Sequence, residues 1–250
     1  MAAKLNLAAP AECLEWDSHF FQRRIARARA ECLTDAEAVE LLAWCQEQRI
    51  DCLYFLAKGD SATVRVAERH GFELVDIRVT YERELSVLPE RPAGIRAVRA
   101  TDVERLKQLT GRNLADSRFY ADRHFDPREC DALYAVWIER SCQGYANGVL
   151  VAERNGEAAG YVTCNLAEGA GSIGLIAVDT AARGEGIGQR LVGAALHYFR
   201  EQGMTRATVV TQARNIASQR LYQRSGFLLA STALWYHRWF VQEPMADPAR

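Results

Sequence analysis

Apolar residues along this chain fall into two rhythms. From Thr34 onward Val39, Leu42 and Ala43 recur at helical spacing, which predicts a helix starting near Thr34. Thr34 and Glu37 have the spacing of a capping box, in which the hydroxyl takes a free amide and the carboxylate reaches back. Cys52–Ala57 is an apolar run of strand length, Ser61–Arg69 reads as a helix closed by Gly71, and Leu74–Leu85 as a strand. The stretch Ser86–Gly94, with Pro89 and Pro92, then breaks the pattern as a linker does.

Beyond it the rhythms return. Ile95–Val98 reads as a strand, and Thr101 and Glu104 form a second capping-box pair before Leu106 and Leu109. Asp126-Pro127 opens a helix, because proline suits a first helical turn. Gly148–Ala152 and Ala158–Asn165 form a strand pair around Asn155-Gly156, with Ser172–Val178 a further strand. Ile187–Gln202 is a helix with Ile187, Leu191, Ala195 and Tyr198 on one face, stopped by Gly203. The strand Ala207–Thr211, the helix Ala217–Arg224 and the strand Leu228–Phe240 complete the pattern. The expected class is α/β with a mixed sheet, divided into an N-terminal half (residues 1–92), a larger domain (93–241) and a frayed tail (242–250).

The two regions resemble each other. Shifted by 155 residues, Asp60–Arg83 falls on Asn215–Arg238, and eight of 24 positions match. The matches include Gly71/Gly226, Phe72/Phe227, Tyr81/Tyr236 and Arg83/Arg238. Either the helix–Gly-Phe–strand unit recurs through packing alone, or a half-domain has been duplicated.

Composition narrows the partners. The 250 residues carry a net charge of −1, so nothing in the bulk charge favours nucleic acid or anionic lipid. The seven cysteines form no Cys-x-x-Cys pair, which points to no metal and to free thiols in a reducing cytoplasm. No secretion signal and no run of 18 apolar residues is present, so membrane insertion is not expected.

The chemistry concentrates where a strand, a glycine-rich turn and a long helix follow in order between Ser172 and Gln202. A helix N-terminus offers unpaired amides and a positive dipole end, and glycine lets a phosphate approach the backbone. A nucleoside-triphosphate loop needs Gly-Lys-Ser/Thr, but Gly188 is followed by Gln189 and Arg190. A dinucleotide fingerprint needs a third glycine where Gln189 stands. What remains is Arg-x-x-Gly-x-Gly at Arg183, Gly186 and Gly188.

That loop, within Ile176–Leu191, and the downstream string Asn215–Phe227 together resemble the two signatures of the GNAT superfamily of N-acetyltransferases. The resemblance covers roughly residues 95–240 and implies a GNAT fold that uses acetyl-CoA as cosubstrate, with the N-terminal half a degenerate copy. It implies that Arg183, Gly184, Glu185, Gly186, Ile187, Gly188 and Gln189 meet the CoA pyrophosphate. The backbone of Ile176, Ala177 and Val178 would pair with the pantetheine arm, at a strand splayed from its neighbour, and leave an amide to stabilise the oxyanion. Asn215 would bond pantetheine or its own helix start. Tyr222 would protonate the departing thiolate as general acid, since an unperturbed phenol near pKa ~10 stays protonated at neutral pH. The first half has Asp60 and Ala67 in place of Asn215 and Tyr222 and no glycine loop, so one active site per chain is expected. For a general base, Glu168, His124 and Asp179 are candidates by type alone.

The strings Leu14–Phe21, Ser117–Asp126 and Tyr134–Cys142 go beyond the general pattern and resemble the dTDP-fucosamine acetyltransferase branch. Its members acetylate the 4-amino group of dTDP-4-amino-4,6-dideoxygalactose for enterobacterial common antigen. The resemblance implies a nucleotide-sugar acceptor and, at family level, a homodimer. Phe119, Tyr120 and Phe125 could supply stacking surface, and Arg118, Arg123 and His124 could meet a diphosphate; the same segment could equally be an amphipathic loop with no ligand. Two other readings stay open: acetylation of another amine, such as a protein N-terminus or a polyamine, and a CoA-binding module without catalysis.

Overall fold

A computed structural model describes residues 9–111 and 116–240; the expected tail, 242–250, lies outside the described residues. In chain order the elements are β1 (Ala11–Cys13), α1 (Glu15–Phe21), β2 (Ile25–Ala28), α2 (Asp35–Glu47), β3 (Cys52–Lys58), α3 (Ser61–Arg69) and β4 (Glu73–Glu84). There follow β5 (Ile95–Ala97), α4 (Val103–Gly111), α5 (Arg118–Ala121), α6 (Pro127–Arg140), β6 (Gly148–Arg154), β7 (Glu157–Ala167) and β8 (Ala170–Val178). The last four are α7 (Ile187–Glu201), β9 (Arg206–Gln212), α8 (Ile216–Arg224) and β10 (Leu228–Trp239).

Local chemistry starts and stops these elements where the sequence indicates. Thr34 and Glu37 close a capping box on α2, and Asp126 with Glu129 does the same for α6 behind Pro127. Asn155 and Gly156 both take positive φ, as a two-residue hairpin turn requires. Two details differ from expectation. Before α4 the amide of Arg99 donates to Asp102 Oδ2 at 2.7 Å, so Asp102 closes the turn and the Thr101–Glu104 pair is no cap. On α2 the buried residues are Ala38, Leu41 and Cys45, whereas Val39 is 57% exposed.

Contacts divide the described chain into two units. One takes the chain up to Asp76 and again from Ala233; the other takes Ile77–Thr232. In the first unit the strands run β1-β2-β3-β10, with β2-β3 parallel and its neighbours antiparallel. Its core gathers Leu41, Leu53, Phe55, Phe72 and Tyr236. In the second the order is β4-β9-β8-β7-β6-β5, with β8-β9 the parallel pair. Leu191, Phe199, Val209, Tyr222 and Phe227 form one core there. Leu106, Ile138 and Tyr161 anchor a second core under α4 and α6.

The sequence repeat is a structural repeat, with β3-α3-β4 matching β9-α8-β10. Asp60 caps α3 and Asn215 caps α8; Gly71 and Gly226 take positive φ after each helix; Phe72 and Phe227 are buried next. The final strands then change places. Tyr81 of β4 packs with Tyr222 in the second unit, and Tyr236 of β10 packs with Phe55 in the first. The matched arginines follow. Arg83 donates to the carbonyl of Ser225 at the end of α8, and Arg238 Nε to that of His70 at the end of α3 at 3.1 Å. Each satisfies an orphan helix carbonyl with a cation, which also complements the helix dipole.

Candidate functional site

The site begins with a parting of strands. β8 and β9 are in register from Ala170↔Arg206 to Ile173↔Val209 and no further, although β8 runs on to Val178 and β9 to Gln212. The cause lies on the opposite edge of β8. Between the pairs Cys164↔Ile173 and Val162↔Ile176, Thr163 of β7 faces both Gly174 and Leu175. The Leu175 amide donates to Thr163 Oγ1 at 2.7 Å, and a Cβ on Gly174 would stand 2.7 Å from that oxygen and 2.9 Å from Asn165 Nδ2. A Cβ there would have to displace both side chains, and the extra residue makes a β-bulge that bends β8 away from β9.

Along the parted segment lies a cavity of about 560 Å³, a size typical of small-ligand sites. Ile176, Ala177 and Val178 line one side of it. Arg183, Gly184, Gly186, Ile187, Gly188 and Gln189 line another, where the loop runs into the N-terminus of α7. Gly184 and Gly186 take φ of +84° and +74°, with nothing within 4 Å of where a Cβ would stand. Glycine is needed there for backbone conformation, and the amides stay uncovered. Gly186 caps α7 without a side chain, so no residue of the cap competes for the first-turn amides. Glu185 does not line the cavity; it pairs with Arg154 at 2.9 Å. A second close approach fits α7 to the sheet: a Cβ on Gly160 would lie 2.8 Å from the carbonyl oxygen of Ala177 and 3.1 Å from Leu191.

Asn215 lines the cavity while its Oδ1 accepts from the Ser218 amide at 3.0 Å, so the helix-start role is filled. Leu221 also lines it, but its neighbour Tyr222 does not. Tyr222 is 3% exposed, its ring 6.2 Å from that of Tyr81 and 5.9 Å from that of Phe227. Burial pushes its phenol well above the ordinary tyrosine value, which keeps it protonated.

The residues expected to meet the acceptor lie elsewhere, and none of the six lines this cavity. Phe119 and Phe125 are buried, packed edge to face at 5.5 Å, with Tyr134 and Trp137 around Phe119. Tyr120 stacks on Tyr134 at 6.2 Å and donates to Asp131 at 2.5 Å. Arg123 is exposed, and His124 Nδ1 lies 2.8 Å from the buried Asp122. Of the other carboxylates named, Glu168 is exposed in the β7–β8 turn and Asp179 is tied to Arg105 and the Ala181 amide.

Sequence reasoning missed two charged lining residues. Arg224 ends α8, two positions after Tyr222, and Asp116 precedes α5. Arg224 falls inside the Asn215–Phe227 string without a role assigned there, and Asp116 has no periodic or motif signal; the folded chain brings both to the loop. No group of His, Cys, Asp or Glu suited to a metal occurs among the described residues. No helix among them is long and apolar enough to cross a membrane.

Comparison with known proteins agrees with this geometry. Residues 112–227 match the Acetyltransferase (GNAT) family. Over its whole length, the dTDP-fucosamine acetyltransferase of Escherichia coli O6:H1 is 29% identical to 94% of this chain. The spore coat polysaccharide biosynthesis protein SpsD of Bacillus subtilis is 27% identical, across 55% of this chain and 48% of its own. A GCN5-related N-acetyltransferase from Sphaerobacter thermophilus superposes with a TM-score of 0.64 at 17% identity, over 92% of this chain and 76% of its own.

Proposed function

We propose that this chain, an acetyl-transferring enzyme whose residues 112–227 match the GNAT family, moves the acetyl group of acetyl-CoA to the 4-amino group of a dTDP-4-amino-4,6-dideoxyhexose, by direct attack in a ternary complex. The observation that carries the cofactor half is the unpaired edge of β8 beside a glycine-opened helix N-terminus. A strand edge suits the amides of a pantetheine arm, and uncovered amides at a positive dipole end suit a pyrophosphate. The acceptor half rests on the 29% identity that extends over the whole of the dTDP-fucosamine acetyltransferase.

Acetyl-CoA supplies the acetyl group as a thioester, and transfer ends with a thiol and an amide. The chain's residues do the rest. Amides of the 184–189 loop hold the phosphates, with Arg183 and Arg224 adding positive charge. The Ile176–Val178 backbone aligns the arm and directs one amide at the developing oxyanion. Tyr222 delivers the proton that the sulfur needs; its burial supports this, because the phenol has no tendency to ionise before the thiolate forms. The N-terminal half serves as scaffold, and the enzyme works in the cytoplasm.

An amine screen tests the reading. With acetyl-CoA present, thiol release is followed for dTDP-4-amino sugars, peptides and polyamines. Release with the amino sugars is expected; release with peptides or polyamines alone overturns the acceptor assignment. Acetyl-CoA binding with no release on any amine would leave a binding module instead.

A further inference from the structure

The charge inventory of the cavity contains one misfit. Its lining holds the two arginines Arg183 and Arg224, the N-terminus of α7 and, among the described residues, a single carboxylate, Asp116. A cosubstrate with several phosphates explains the positive groups. It does not explain Asp116, which would repel it. Like charges in a partly desolvated pocket are unfavourable unless a cation stands between them or beside one of them. Among the described residues nothing plays that part: Asp116 is half-buried and has no hydrogen bond or ion pair with another of them. Acids nearby differ in this respect. Asp179 has Arg105, Glu185 has Arg154, and Asp131 has the Tyr120 hydroxyl.

The cation that this reaction brings is the acceptor. A primary amine reaches the site at neutral pH largely as an ammonium. We propose that Asp116 binds that ammonium in the cavity and takes the proton which must leave before nitrogen can attack, an inference that rests on the amine-acetylating reading above. The steps balance. The ammonium gives one proton to Asp116, which passes it to solvent. The freed lone pair forms the nitrogen–carbon bond. The carbon–sulfur bond breaks with its electron pair on sulfur, sulfur takes a proton from Tyr222, and the second nitrogen proton restores the phenol. The position is apt for selectivity too. Asp116 lies outside the loop and helix that hold the cosubstrate, at the start of the segment that carries α5. It can therefore read the acceptor without disturbing acetyl-CoA.

Asp116→Asn keeps the shape and removes the charge. Two ligands are titrated onto wild type and variant in the presence of CoA: dTDP-4-amino-4,6-dideoxygalactose and the sugar with a hydroxyl in place of the amine. Wild type should prefer the amine by about tenfold or more, and Asp116→Asn should lose that preference while binding the hydroxyl sugar and acetyl-CoA as before. In turnover kcat/KM should fall about 100-fold or more, with the rise of rate with pH displaced upward. An unchanged amine-to-hydroxyl ratio overturns the assignment, as does a parallel loss of acetyl-CoA binding, which would mark a structural role. Failure of the nucleotide-sugar reading would look different, since wild type itself would then bind neither sugar. The amine chosen by the thiol-release screen and its hydroxyl analogue would then replace them, and the same ratio decides.

Discussion

The chain builds one arrangement twice and leaves it open only once. In both units a parallel strand pair leads into an Asx-capped helix. In the first unit the space beyond the pair is filled by the chain itself. The Lys58 amide donates to the Glu31 carbonyl at 2.8 Å, Lys58 Nζ pairs with Glu31 at 3.0 Å, and Cys32 Sγ reaches Asp60 at 3.8 Å. In the second unit β8 is bulged, its edge beyond Ile173 has no strand partner among the described residues, and glycines replace the polar turn. The scaffold is therefore not what makes a site. One inserted residue at Gly174–Leu175 and a loop able to take positive φ separate a cavity from a closed turn.

The largest expected effect breaks the comparison at its chemical end. Tyr222 occupies the position that is Ala67 in the first copy. Tyr222→Phe should lower kcat by about 100- to 10,000-fold with acetyl-CoA affinity unchanged, measured by steady-state kinetics and calorimetry. Unaltered kcat would refute the general-acid role and put Tyr222 among core aromatics only.

Glycine scanning comes next. Gly174→Ala pushes a methyl against Thr163 and Asn165 and should lose about 1–3 kcal/mol, with weaker acetyl-CoA binding as the bulge relaxes. Gly59→Ala in the first unit meets nothing within 4 Å and should be neutral. Equal denaturation midpoints for the two variants would show that the bulge does not need its glycine.

The matched arginines provide a sharper test of the repeat. Arg83→Ala and Arg238→Ala each remove a cationic donor from a helix-end carbonyl and should each lose about 1–2 kcal/mol. A large difference between the two thermal shifts would mean that the sequence match conceals different roles.

The smallest effect concerns acid. Hydrogen bonds from Arg96 hold the Asp102 carboxyl below its ordinary range, helped by the Arg99 amide and against a penalty from burial. A lowered folded value contributes stability above the unfolded value and loses it as pH falls through the folded one. Asp102→Asn should flatten the acid limb of a stability profile and leave little difference at low pH. Asp35, lowered first by His70 and then by Arg69, is fully exposed, so Asp35→Asn should change that limb only at low salt.

Much of this molecule could be read from residue order. Capping pairs, turn glycines and apolar rhythm act over a few positions, so Thr34–Glu37, Asp126–Pro127, Asn155–Gly156 and Gly203 marked element ends correctly. The place of the glycine loop was legible for the same reason, since Arg183–Gly188 is one contiguous turn. The packing of Ser117–Asp126, expected to meet the acceptor, was not. Phe119 and Phe125 read as ligand surface in a string of aromatics and charges, yet both are buried with α6 residues. Burial depends on what packs from a distance, which local order does not encode.

By itself, then, the sequence determined the elements, the repeat and the glycine-rich loop, because each depends on near neighbours along the chain. Tertiary structure alone decided three things. It exchanged β4 and β10 between the copies, it parted β8 from β9 through Thr163, and it brought Asp116 and Arg224 to the glycine loop. In each case residues about a dozen positions apart or many more meet through strand pairing or shared packing.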